Sequence, residues 1–189
     1  MNQNRISTRN LVFSAILVAL GILIPLIMPV KVVVGPASFT LASHLPIFLA
    51  MFISPGVALS VALGTAFGFF LSFPVIIAFR ALSHVVFAVI GAYWLKKRPK
   101  FIVSFGKYQI FNVVIGIVHA FVEFLVVSVF FFQGNVPETM YSQGYVYTVI
   151  VLVGVGGFIH SLIDGSIAYY IGKRLSKIVD IPVFTQAKK

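Results

Sequence analysis

Long apolar stretches separated by short polar connections occupy most of the chain. A membrane-spanning helix needs about 20 apolar residues, with roughly 17–25 tolerated. Segments 9–29, 75–95, 108–132 and 147–172 meet this directly. Between the first two lies another apolar region, 39–72, interrupted by Ser54-Pro55-Gly56. Adjacent proline and glycine signal a turn, so this region predicts two shorter helices, about 40–53 and 56–71. The expected fold is all-α: one transmembrane domain over residues 1–189, an integral membrane bundle of six helices. Lys31–Thr40 (KVVVGPASFT) is different in character. Its β-branched residues around Gly35-Pro36 predict an extended loop, suited either to a lid or to a plain connector.

Composition supports the membrane assignment. Of 189 residues, 60% are hydrophobic and only 10% charged, against roughly 25% charged in soluble domains. The net charge of +10 forms no basic face for nucleic acid; it sits in the flanks and one short connection. Arg5 and Arg9, the run Lys96–Lys107, the run Lys173–Lys177, and Lys188 with Lys189 fall on one side, and Lys31 alone on the other. The positive-inside rule then predicts cytoplasmic N- and C-termini in a multi-pass protein of the cell membrane, with the lipid bilayer as its surroundings. The basic N-terminus leads into a full-length span without a small-residue cleavage site, which predicts a retained first helix. No cysteine is present, so neither a disulfide nor a thiolate site is available.

Ionisable residues inside the spans are the candidates for chemistry. A charge at bilayer depth costs about 2.5–3.5 kcal/mol on insertion scales, so such groups face a protein interior, a partner or a ligand. Three pairs stand four residues apart: Arg80 with His84, His119 with Glu123, and His160 with Asp164. That spacing puts each pair on one helical face. His44, near the extended loop, is a fourth candidate. At 1.5 Å per residue, Arg80 lies roughly 9 Å and Glu123 roughly 13 Å below the outer ends of their helices, close enough in depth to share an outward-facing cavity. Asp164 falls in the inner half, a poor partner for Arg80, and its pair with His160 reads as a helix-packing hydrogen bond. Arg80 offers a fork of donors suited to a carboxylate; the competing reading is a structural salt bridge to Glu123.

Other chemistries find less support. A metal site from His44, His84, His119 and Glu123 is chemically conceivable, but Arg80 repels a cation and no HExxH run is present. No metal or other cofactor is therefore expected. Neither GxSxG nor GxxxxGK[ST] occurs, so no catalytic residue is assigned and the chain is not expected to be an enzyme or a P-loop ATPase. An intramembrane enzyme using His119, Glu123 and His160 is the weakest reading. A stand-alone proton-coupled secondary transporter, with Glu123 or Asp164 as relay, is another alternative. Ala15 and Ala19 form a small-residue patch on the first helix, and Gly64 with Gly68 a similar one on the third, where another helix can approach closely.

Size, six helices, inward termini and Ala15-x-x-x-Ala19 together resemble the substrate-binding S component of energy-coupling factor (ECF) vitamin transporters. The longer stretches SFTLASHLPIFLAMFISP (Ser38–Pro55) and FRALSHVVFAVIGAYWL (Phe79–Leu95) are most similar to the niacin and pantothenate S components. The resemblance implies high-affinity capture of a small vitamin near the outer face, with Lys31–Thr40 helping to close the site. It also implies docking on the transmembrane coupling protein EcfT, which carries two ATPases, with Ala15 and Ala19 at that contact. Arg80, His84, Glu123, His119, His44 and Phe39 are the expected substrate-binding residues. Arg80 favours a carboxylate vitamin; a flat niacin ring would suit Phe39, Phe48 or Phe79. Hydroxymethylpyrimidine or pyridoxine would instead call for Arg80 paired with Glu123.

Overall fold

The computed structural model describes residues 7–34, 37–136 and 138–188. It is a helical bundle: α1 (Thr8–Ile27), α2 (Leu45–Ile53), α3 (Pro55–Ser72), α4 (Val75–Lys97) and α5 (Phe105–Phe132), then a π-helical segment (Val146–Gly156) continuing into α7 (Gly157–Leu175). Short helices α6 (Glu138–Ser142) and α8 (Pro182–Gln186) and a 3-10 turn (Pro99–Ile102) complete it. Strands β1 (Lys31–Val34) and β2 (Ala37–Thr40) pair antiparallel, with Val32 opposite Phe39, so the extended loop is a hairpin. Gly35 and Pro36, between the strands, lie outside the described residues.

Six spanning helices are expected from sequence; among the described residues five are long and apolar enough to cross a membrane. The difference is α2. It starts at Leu45 rather than residue 40 and has nine residues, about 13.5 Å at 1.5 Å per residue, roughly half of a 30 Å hydrocarbon core. Two features stop it from extending further toward its N-terminus. Ala42 has φ +64°, a left-handed conformation that breaks helical progression and that side-chain-bearing residues seldom adopt. The backbone N–H groups of Ala42 and His44 donate instead to the Asp164 carboxylate at 2.7 and 2.8 Å. Pro46 then sits in the first turn of α2, where its missing N–H costs nothing. At the other end Ser54 caps α3, its hydroxyl accepting from the Val57 N–H, so the Ser54-Pro55-Gly56 break falls where the turn signal puts it.

α2 is the centre of the bundle. Every residue from Pro46 to Ile53 is buried, as expected of a helix that is apolar all round, and α1, α3, α4 and α7 surround it. Because its neighbours are twice its length or more, a space remains above its N-terminal end. The opposite end is sealed: Phe184 of α8 packs edge-on against Phe52, ring centroids 5.3 Å apart. The outward faces of the long helices carry Leu11, Ile16, Phe67, Val86, Ile117, Phe121 and Ile159, all exposed, as lipid contact requires.

Small residues set the helix spacing. A side chain on Gly64 would meet Val18 at 2.7 Å, and one on Gly68 would run into Ile22, so that patch packs α3 onto α1. Ala15 and Ala19 point the other way and are exposed. Arg9 at the start of α1 donates to Asp180 at 2.9 Å, placing the start of α1 and the segment after α7 at the same end of the bundle. The Thr185 hydroxyl first, and Arg9 second, hold the exposed Asp180 carboxyl below its usual range. This contact is complete at neutral pH and weakens as pH falls through that lowered value.

On α7, Gly165 lies against Asn112, whose amide is fixed by the Leu162 carbonyl at 3.0 Å and Gln109 at 3.1 Å. Gly165→Val forces this pair apart and should cost about 1–3 kcal/mol, read as a lowered thermal midpoint in detergent. Gly106→Ala, where an added methyl meets nothing within 4 Å, should leave the midpoint unchanged or slightly raised.

Candidate functional site

A cavity of about 300 Å³ occupies the space above α2. Its floor is Ile47 and His44; its walls include Thr65 and Phe69 of α3, Arg80 and His84 of α4, Glu123 of α5 and His160 of α7; its cover is Lys31, Phe39 and Thr40 of the hairpin. Phe39 leans on His160, centroids 5.7 Å apart, in a space that a side chain on Gly156 would occupy.

The Arg80 Nε–H donates to Glu123 Oε1 at 2.9 Å. Sequence depth brings these two groups to one cavity, and the structure pairs them. The pairing is single. Among the described residues, neither terminal nitrogen of Arg80 makes a hydrogen bond, and Arg80 lines the cavity. The guanidinium thus neutralises Glu123 through Nε and leaves its other donors uncommitted. Of the two readings from sequence, the salt bridge to Glu123 is present in the structure, through Nε.

Four histidines cluster beside the pair. The His44 ring lies 4.8 Å from His84, 4.6 Å from His119 and 4.8 Å from His160, centroid to centroid, in edge-on contacts. His44 Nδ1 is 3.2 Å from Asp164 Oδ2, which fixes the Nδ1–H tautomer by giving that hydrogen a carboxylate acceptor. His160 Nε2 lies 3.0 Å from the Ser43 hydroxyl.

These positions amend several expectations. Asp164 is no partner of Arg80, as depth implies, but it is not remote either; the half-length α2 brings His44 down to it, and His44 joins it to the outer cluster. His160, read from sequence as a packing residue, lines the cavity. His119 is 1% exposed and sits behind His44 and His84, outside the lining. Of the three phenylalanines, only Phe39 lines the cavity. Phe48 is wholly buried against Phe87, and Phe79 is 41% exposed, between Phe70 and Phe130. Thr65 and Phe69 also line the cavity and have no place among the residues expected from sequence. Thr65, the polar residue in the Gly64–Gly68 patch, was the available signal.

Over 181 residues, covering 95% of this chain and 80% of the relative, the sequence is 47% identical to the niacin transporter NiaX of Lactococcus lactis subsp. cremoris (strain MG1363). The chain belongs to the NiaX transporter family. No family model matches it, and no solved structure matches it. As a NiaX-family member it is a multi-pass transport protein of the cell membrane and not an enzyme.

Asp164 holds this NiaX-family site in shape, because it satisfies two backbone donors and the His44 ring at once. Asp164→Ala leaves those donors buried and unpaired, at about 1–3 kcal/mol each, and should lower the thermal midpoint more than Asp164→Asn, which retains one acceptor oxygen.

Proposed function

We propose that the protein is the vitamin-binding S component of an ECF-type importer and that its ligand is nicotinate. The relative's identity as a niacin transporter and an arginine that lines the cavity with its terminal nitrogens uncommitted among the described residues support this reading together. The terminal nitrogens of Arg80 pair with the ligand carboxylate, a charge-assisted contact that repays the buried cation. The pyridine ring lies among His44, His84 and His160, with Phe39 of the hairpin closing over it. His119 supports His44 and His84 from behind, and Glu123 keeps Arg80 in place. A cavity of about 300 Å³ is at the small end for ligand pockets, roughly 300–1,000 Å³, in keeping with a one-ring ligand. The Arg80–Glu123 pair does not require a neutral ligand, because it uses Nε alone.

In this reading the single domain passes the membrane six times, α2 with its overlying turn and hairpin making the second passage. Both ends are cytoplasmic, an orientation supported by the basic flanks and by the Arg9–Asp180 contact. Delivery follows docking on the coupling protein EcfT and its two ATPases through Ala15 and Ala19, whose exposure on α1 leaves them open to a partner helix.

Calorimetry on the purified protein tests the ligand. Arg80→Ala should weaken nicotinate binding about 10- to 100-fold, the loss of one charge-assisted contact, and nicotinamide should bind the wild type comparably poorly. Unchanged nicotinate affinity in Arg80→Ala would remove the arginine from the site. Ala15→Trp with Ala19→Trp should keep nicotinate binding and lose co-purification with EcfT; retained co-purification would move the docking face elsewhere.

A further inference from the structure

The histidine cluster contains more ligating capacity than an anion site uses. His44 precedes α2, His84 is on α4 and His119 on α5; all three are buried, and one ring nitrogen from each lies within 4.8 Å of the other two. His84 Nε2 and both ring nitrogens of His119 are buried without a hydrogen-bond partner among the described residues. Buried polar atoms in folded proteins are nearly always partnered, so three in one cluster ask for an explanation. We propose that His44, His84 and His119 form a binding site for a divalent transition metal of the zinc class, beside the solute cavity.

The donor set fits. Neutral imidazoles suit zinc, and three of them leave one position of a tetrahedron open. Asp164 takes the Nδ1–H of His44 at 3.2 Å, leaving Nε2 with its lone pair: the carboxylate–histidine arrangement that orients metal-bound histidines. Tetrahedral zinc with Zn–N bonds of about 2.0–2.1 Å sets its ligands roughly 3.3 Å apart, so the rings need to close by about 1.5 Å at most. Rotation about χ1 and χ2 supplies that. From sequence, Arg80 weighs against a cation here. The geometry removes the objection, because Glu123 neutralises Arg80 at 2.9 Å and its carboxylate also lies 3.7 Å from His84 Nε2 and 4.0 Å from His119 Nε2. His44 and His84 also line the cavity, so the site would border it.

The other cluster of this kind, His44 with His160 and Asp164, is the weaker host. His160 Nε2 is engaged by Ser43 at 3.0 Å, and Asp164 is committed to two backbone N–H groups.

Cobalt(II) loading of tag-free protein in detergent tests the assignment, with the metal alone as probe and no vitamin added. The expected result is one Co2+ per chain retained through gel filtration, the intense visible d–d bands of tetrahedral cobalt, and their loss on adding Zn2+. His84→Gln and His119→Gln, on two different helices, should each weaken retention about tenfold or more, while His160→Gln keeps it. Thermal melts identify any variant that has not folded, and the remaining one decides. Sub-stoichiometric loading, a weak octahedral spectrum, or cobalt bands that persist in His119→Gln overturn the proposal. Loss in His160→Gln with retention in His119→Gln would place the metal in the other cluster and also overturn it. Because nicotinate is absent, the result does not depend on the ligand proposed above.

Discussion

Asp164 accepts the backbone N–H groups of Ala42 and His44 in the middle of an apolar bundle, and the shape of the site depends on that contact. Those two N–H groups would otherwise continue toward a longer helix or be left without partners, which hydrocarbon surroundings do not tolerate. Captured by a carboxylate on another helix, they end α2 after nine residues and hold Ala42 in its left-handed turn. A short central helix inside a ring of long ones leaves a volume at one end. The hairpin covers that volume, and every polar wall residue faces it. The same carboxylate sets the His44 ring, around which the other three histidines gather.

Within that volume charge is arranged so that little of it is stranded. Arg80 and Glu123 compensate each other across 2.9 Å, which makes each tolerable at bilayer depth. The compensation is partial in geometry, since Nε alone is engaged and the terminal nitrogens carry no hydrogen bond among the described residues. In the proposed complex a carboxylate would engage the terminal nitrogens without pulling the Arg80–Glu123 pair apart, a saving in reorganisation that favours tight binding.

Much of this was legible in the chain. Runs of apolar residues gave the long helices to within a few residues, and the Ser54-Pro55-Gly56 break was visible. The i, i+4 pairs Arg80/His84 and His119/Glu123 correctly turned inward together, because no other placement is affordable in lipid. The length of α2 was not legible: residues 40–44 contain no proline or glycine to mark a break, and what stops the helix is a carboxylate 120 residues away in sequence. That single non-local contact also hid the roles of His160 and Asp164, which depth arithmetic on separate helices assigned to packing and to the inner half. Phe48 and Phe79 were equally plausible ring partners by composition. Only packing shows that one is core and the other faces outward.

The account stands most directly on where a bound carboxylate sits. An experimental structure of the protein with nicotinate should show the ligand carboxylate within hydrogen-bond distance of the terminal nitrogens of Arg80, while Nε stays on Glu123. A nicotinate carboxylate lodged away from Arg80, or an Arg80 that has left Glu123 to reach it, would contradict the divided use of the guanidinium on which this reading rests.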